Sequence, residues 1–185
     1  MATSPEQVLE LCQYGSWTIT PEMGRTLLEH LRRVNPPRVL ECGSGLSTVL
    51  IAAWAEEAGA EWQALEHAPA FYHKTRQLLH EHGLSAHGLI RAPLDDFELG
   101  DLEYSWYNFL PLGEYGFIFV DGPPGDVGRF GAGPALLPHL APWGELWLDD
   151  ADRPGEQEAL RRWSADLDVR WAKHPDLPRV ARVRP

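Results

Sequence analysis

Short apolar stretches recur along the chain, separated by polar or glycine-rich turns. The clearest, Tyr115–Asp121, is apolar or small at every position before its final acid, which is typical of a strand buried on both faces of a parallel sheet. Runs of this length bounded by turn residues predict strands. The predicted strands are Arg38–Cys42, Glu61–Glu66, His87–Arg91, Tyr115–Asp121 and Gly144–Asp150, followed by two short ones at Asp168–Trp171 and Arg179–Val183.

Between the strands, apolar residues recur every three or four positions, which predicts amphipathic helices. The predicted helices are Ser4–Cys12, Pro21–Val34, Leu46–Trp54, Pro69–His82, Ala135–Leu140 and Pro154–Leu167. Alternating strands and helices predict an α/β fold: a single doubly wound, mostly parallel seven-stranded sheet with helices on both faces and a C-terminal antiparallel hairpin.

One segment, Glu98–Pro111, has no clean period. It is acidic and aromatic, with Tyr104, Trp106, Tyr107 and Phe109. Two interpretations stay open for it: an excursion near a ligand site, or a packed loop.

The length of 185 residues suits one well-cored domain. Within it, residues 1–37 are predicted to form N-terminal helices and a possible substrate lid. The lid would include the aromatic loop Tyr14–Thr20. Residues 38–185 are predicted to form the ligand-binding core.

The formal net charge of −11 limits the partners. An acidic surface argues against a nucleic-acid substrate, because phosphate backbones need basic surface. The sequence has no apolar run long enough to span a bilayer and no secretory leader at its N-terminus, so we expect no membrane partner and a cytoplasmic location. The arginines near the C-terminus, Arg179, Arg182 and Arg184, are interpreted as a solvated strand edge.

The stretch from Arg38 to Thr48 contains the glycine turn that indicates a ligand. Gly43 and Gly45 follow a strand and open a helix, the arrangement that presents nucleotide-like ligands in α/β folds. Glu41 would oppose a pyrophosphate, and Thr48 stands where the dinucleotide fingerprint needs its third glycine. A ligand with a sulfonium and an ammonium, S-adenosylmethionine (SAM), suits the acid better. A tight turn without any ligand is the alternative.

Glu66 lies 21 residues beyond Gly45, at the end of the next predicted strand. An acid at this distance is suited to accept hydrogen bonds from a ribose diol.

These residues resemble motif I, E-x-G-x-G, of the Rossmann-like (class I) SAM-dependent methyltransferases, with Glu41, Gly43 and Gly45 in its places. The resemblance implies SAM as cofactor and an adenine pocket beside Ala92, Pro93 and Leu94, with Asp95 near the exocyclic amine. The predicted cofactor-binding set is Glu41, Gly43, Ser44, Gly45, Ser47, Glu66, His67, Ala92, Pro93 and Asp121.

Three carboxylates, Asp121, Asp149 and Asp150, are predicted to meet at the carboxyl ends of two neighbouring strands. They would repel one another unless protonated, hydrogen-bonded or bound to a cation. The arrangement is similar to that of the catechol O-methyltransferase-like enzymes, which implies Mg²⁺ or another divalent cation held by the three. The chain departs from that family in having no lysine after Asp121 and an acid at 150 instead of asparagine. Capping of the next helix by Asp149 and Asp150 is the alternative.

The function expected from these features is SAM-dependent methyl transfer to a small-molecule acceptor, with metal-assisted O-methyl transfer as one form. Asp121 is the candidate base without a metal, and Asp126 or water the candidate with one. Two alternatives stay open: a nicotinamide-dependent oxidoreductase, and a non-catalytic cofactor-binding or scaffold protein on the same fold. Exposed aromatic residues also leave a homodimer open.

Overall fold

The structure, a computed structural model, describes residues 2–11 and 19–185. Most of the predicted lid, Tyr14–Thr20, lies outside the described residues. Its role, and the boundary between residues 1–37 and 38–185, stay predictions. In the described part of the chain, no helix has the length and apolar character needed to cross a membrane.

Seven strands form one sheet. Five neighbouring strands pair in parallel, and the last two strands of the chain add antiparallel pairings at one edge. In chain order, its strands are β1 Arg38–Cys42, β2 Glu61–Glu66, β3 Leu89–Arg91, β6 Tyr115–Val120, β7 Leu140–Leu148, β8 Arg170–Lys173 and β9 Ala181–Arg184. Their spatial order is β3-β2-β1-β6-β7-β9-β8. β9 runs antiparallel to both β7 and β8. The predicted fold class is confirmed.

Strand order reverses between β1 and β6, the two central strands. Val39 to Cys42 of β1 pair in parallel with Phe117 to Val120 of β6, and β1 pairs with β2 on its other side. In doubly wound sheets, ligands bind at the carboxyl ends of the strands beside such a switch point. The topology therefore places a site beyond Cys42 and Val120.

Helices cover both faces of the sheet. They are α1 Pro5–Leu11, α2 Pro21–Val34, α3 Leu46–Ala58, α4 Pro69–Glu81, α5 Ala132–Leu136 with a following 3₁₀ turn at Leu137–His139, and α6 Pro154–Asp166. The first four share one apolar cluster with alternate sheet residues such as Val39 and Phe117. α5 and α6 share a second cluster with Leu40 and Ile118. The twofold alternation along each strand thus divides the core into two layers.

Helix α3 follows the glycine turn and is buried along its first ten residues. It packs between the sheet and helices α1, α2 and α4, which is why it is apolar all round. This burial fixes the amino-terminal end of α3 beside the carboxyl end of β1.

The segment without a clean period forms a hairpin outside the main sheet. Strands β4 (Leu94–Leu99) and β5 (Leu102–Tyr107) pair antiparallel across a turn at Gly100, whose φ is +64°. Most of the hairpin is exposed, so burial does not impose an alternation of apolar and polar residues. Its carboxyl end is the exception, because Trp106 and Tyr107 are buried against the domain.

The structure corrects the expectation that the C-terminal arginines form a solvated strand edge. The Nε of Arg182 donates to Glu145 Oε1 at 2.6 Å, and Arg184 also pairs with this carboxylate. Glu145 is buried on β7 and accepts a further hydrogen bond from Trp147. Arg182 and Arg184 therefore tie β9 to β7 and are not merely a solvated edge. Arg179 lies at the ligand cavity instead.

Candidate functional site

A cavity of about 1180 Å³ opens at the carboxyl ends of β1, β2, β6 and β7. Its walls come from the glycine turn, the start of α4, the loop after β6, the start of α6 and residues 177–180. Ile19, Thr20 and two residues of α2 also line it. The volume exceeds the usual range for a pocket that holds one drug-sized molecule, so it has room for two small ligands side by side.

The turn requires glycine at position 43 for two reasons. Gly43 has φ +92°, in the left-handed region, and a Cβ there would lie 3.1 Å from Gly122 N. The backbones after β1 and β6 are therefore in direct contact, which only residues without side chains permit. Gly43 N–H donates to Leu65 O at 2.9 Å and so attaches the turn to β2 as well.

Glu41 lies beneath the turn and is absent from the cavity wall. It is buried, and its Oε2 accepts a 2.6 Å hydrogen bond from the hydroxyl of Thr48, which itself accepts one from Gly45 N–H at 3.0 Å. Burial raises the pKa of Glu41 to about 7. Thr48, at the position of the missing third glycine, thus links the motif's acid to its last glycine. Glu41 organises the turn from below.

Glu66 does line the cavity, at the end of β2. Its Oε2 accepts hydrogen bonds from Ser44 N–H at 3.1 Å and Ser44 Oγ–H at 2.9 Å, and its Oε1 accepts one from Ala68 N–H at 2.8 Å. The carboxylate is thereby fixed at the cavity wall. Oε2 already accepts two hydrogen bonds and Oε1 accepts one, so Oε1 retains capacity to accept from a ligand hydroxyl.

The acidic edge forms where β6 and β7 end at the cavity. Asp121, Asp149 and Asp150 each offer an oxygen, and these three oxygens lie within 4.8 Å of one another. Burial, together with the negative charge of Asp149, raises the pKa of Asp121 to about 7. The convergence of the three acids that the sequence predicted is therefore present.

A buried guanidinium group occupies the centre of this edge. Arg129, on the loop after β6, is 3% exposed. Its Nη2 donates to Asp121 Oδ1 and Asp150 Oδ2, both at 3.2 Å, and to Asp121 O at 2.8 Å. Nothing in the spacing of the acids indicated this arginine.

Several solved structures have folds similar to that of this chain. A scan against protein-family models and a search of curated proteins gave no match. SAH-bound methyltransferase PaMTH1 of Podospora anserina matches 97% of this chain and 85% of its own, with TM-score 0.69 and 22% identity. The O-methyltransferase TomG of Streptomyces achromogenes, in complex with SAM, matches 97% and 86%, with TM-score 0.59 and 16% identity. An O-methyltransferase of Bacillus cereus, in complex with SAH, matches 97% and 87%, with TM-score 0.59 and 15% identity.

The chain has the fold of the Rossmann-like methyltransferases. The glycine turn, Glu66 and Asp121 thus lie on a methyltransferase fold around one cavity. Of the residues predicted to bind the cofactor, the cavity wall includes Gly43, Ser44, Gly45, Ser47, Glu66, His67 and Asp121.

The remaining predicted residues differ in whether they reach the cavity. Ala92 is buried and Pro93 is exposed, and neither lines the cavity. Asp95 is exposed on β4 and accepts from Asn108 Nδ2 at 2.6 Å. Asp126 is exposed on the loop after β6, at the cavity.

Sequence reasoning missed Phe71 as a lining residue and left open whether the segment of Tyr107 reaches the site, and both residues line the cavity. Tyr107 is buried at the end of β5, and its hydroxyl has no hydrogen-bond partner within the described residues. Its ring meets that of His67 edge-on, with centroids 6.1 Å apart. The exposed hairpin thus brings one phenol beside the turn, which no local pattern could indicate.

Proposed function

We propose that this chain is a SAM-dependent methyltransferase that acts on a small-molecule acceptor. The observation that carries the proposal is the convergence on one cavity of the glycine turn, Glu66 and Asp121. The similarity of the fold to methyltransferase structures that hold SAM or SAH supports it.

The residues of the cavity fit the parts of SAM. When bound, SAM would supply a methyl group attached to a sulfonium sulfur. The sulfur leaves readily as a neutral thioether. Glu66 would accept a hydrogen bond from a ribose hydroxyl. The first turn of α3, at Leu46 and Ser47, offers backbone N–H groups that have no acceptor within the helix and suit a carboxylate.

The acceptor would lie between this cofactor region and the loops after β6 and β7. Methyl transfer depends mainly on holding two reactants in line, which a cavity shared by both accomplishes. Asp121, with one third of its side chain exposed, is the residue we propose to receive the proton of a hydroxyl acceptor. Asp126 stays the candidate for a metal-assisted form of the reaction.

Calorimetry with Glu66→Gln tests the cofactor assignment. A hydrogen bond to a charged group contributes about 1.5–3 kcal/mol, so we expect SAM affinity to fall about tenfold to a hundredfold. Glu61→Gln is the matched control, because Glu61 lies at the other end of β2 and is largely exposed. Equal SAM affinity in both variants, or binding of NAD in preference to SAM, would overturn the proposal.

A further inference from the structure

The carboxylates of the acidic edge could hold a divalent cation by position alone, so the residues around them decide whether one fits. Asp121, Asp149 and Asp150 supply oxygen ligands of the kind that Mg²⁺ and Ca²⁺ prefer. A cation bound among them would compensate the repulsion between like charges. The structure already provides a compensating positive charge.

Arg129 uses all three of its guanidinium nitrogens at this edge. Besides its bonds to Asp121 and Asp150, its Nη1 donates to Asp149 O at 2.6 Å and its Nε to Pro123 O at 3.1 Å. The planar group therefore bridges the ends of β6 and β7 and the loop between Asp121 and Arg129. The hydrogen bonds that its three nitrogens donate fix its position.

Asp150 is paired with two further arginines. Arg153 Nη2 lies 2.8 Å from Asp150 Oδ2, and Arg179 pairs with Oδ1. The Asp150 side chain is 9% exposed. A carboxylate surrounded by three guanidinium groups is a poor ligand for a second cation, because that cation would meet repulsion from each of them.

We infer that Arg129 takes the place of a divalent metal in this chain, so that methyl transfer here requires no metal ion. Arg129 pairs with Asp121 and Asp150, and Arg153 and Arg179 add two further guanidinium groups at Asp150, so positive charge from the protein already lies among these carboxylates. The metal-assisted form of the reaction, expected from the catechol O-methyltransferase resemblance, does not fit these residues. That methyl transfer needs no metal rests on the proposed function. That the acidic edge binds no divalent metal does not depend on it.

Titration of the wild-type chain, stripped with EDTA, with Mn²⁺ and Ca²⁺ is the first test. Electron paramagnetic resonance of Mn²⁺ and calorimetry of Ca²⁺ both report binding without any substrate. We expect no site tighter than about 1 mM, the weak end of protein calcium sites. A site in the micromolar range that Asp149→Asn abolishes would overturn the inference.

The second test removes the guanidinium. Arg129→Gln frees three carbonyl oxygens, those of Pro123, Asp121 and Asp149, beside the carboxylates. These are hard oxygen ligands around an uncompensated negative charge. We therefore expect Arg129→Gln to have a lower melting temperature, to bind Mn²⁺ at least tenfold more tightly than the wild type, and to regain melting temperature with Ca²⁺.

Arg182→Gln is the matched control, because Arg182 also pairs with a buried carboxylate but lies away from the cavity. It should lose melting temperature without any rescue by Ca²⁺. A folded Arg129→Gln chain with no gain in Mn²⁺ affinity contradicts the inference. If Arg129→Gln does not fold, the wild-type titration decides alone. Failure of SAM binding would overturn the proposed function and leave these metal measurements unaffected.

Discussion

At the scale of single residues, the partners of a side chain decide its role. Glu41 and Glu66 both end up near the glycine turn, yet one is buried beneath it and the other faces the cavity. Their positions on strands β1 and β2 were predictable from apolar runs. The difference between them arises because Thr48 binds Glu41 from the first turn of α3.

The burial of Glu41 predicts a pH dependence of stability. Its pKa is about 7 in the folded chain against an ordinary value of 4.5, so the folded state holds a proton that the unfolded state has lost between these values. The contribution of Glu41 to the free energy of unfolding is fully present below pH 4.5 and is lost as pH rises through 7.

In Glu41→Gln the side chain is neutral, like the protonated acid. The free energy of unfolding of this variant should therefore not fall as pH rises through 7. Relative to wild type, we expect the variant to gain about 3 kcal/mol in free energy of unfolding between pH 5 and pH 8. Urea unfolding at several pH values measures it. Glu57→Gln is the control, because Glu57 is exposed near the carboxyl end of helix α3. Parallel curves for wild type and Glu41→Gln would show that Glu41 is ionised in the folded chain.

At the scale of elements, the C-terminal hairpin is attached through one buried carboxylate. Burial alone would raise the pKa of Glu145, but hydrogen bonds from Arg182, Trp147 and Arg184 lower it to about 2. Its contribution to stability is therefore present above the ordinary value near pH 4.5 and is lost as pH falls through 2. The cluster adds side-chain contacts to the backbone pairing between β9 and β7, and β8 beyond β9 forms the edge of the sheet.

Glu145→Gln should destabilise the chain by about 3 kcal/mol at pH 7, because it leaves two arginines without their charge partner. The difference from wild type should shrink as pH falls from 4.5 towards 2. Glu158→Gln is the control. Glu158 also pairs with two arginines but is exposed on α6, so its loss should leave the urea midpoint unchanged. Equal midpoints for wild type and Glu145→Gln at pH 7 would refute the role of the cluster.

At the scale of the whole molecule, binding to the folded chain should raise its melting temperature. SAM at a hundredfold excess over its dissociation constant stabilises by about 2.7 kcal/mol, which for a domain of this size corresponds to about 5–10 °C. Differential scanning calorimetry measures the shift, with NAD at the same concentration as comparison. A shift with NAD and none with SAM would favour the oxidoreductase alternative.

Oligomeric state belongs to the same scale. Leu110, Leu112 and Trp143 are exposed apolar side chains, consistent with the homodimer that the sequence left open. Sedimentation velocity at two protein concentrations measures the association. The cytoplasmic location likewise stays a prediction.

The sequence by itself determined the alternation of strands and helices, the glycine turn and the distance from Gly45 to Glu66. These are local properties, because burial imposes its period on each segment and turns need particular residues. The tertiary structure decided the neighbours of the carboxylates. Arg129 and Tyr107 come from a loop and an exposed hairpin without period, and they reach the cavity only because the strand ends converge there. For that reason the sequence predicted three acids at one edge and a cation between them, whereas the fold places an arginine there.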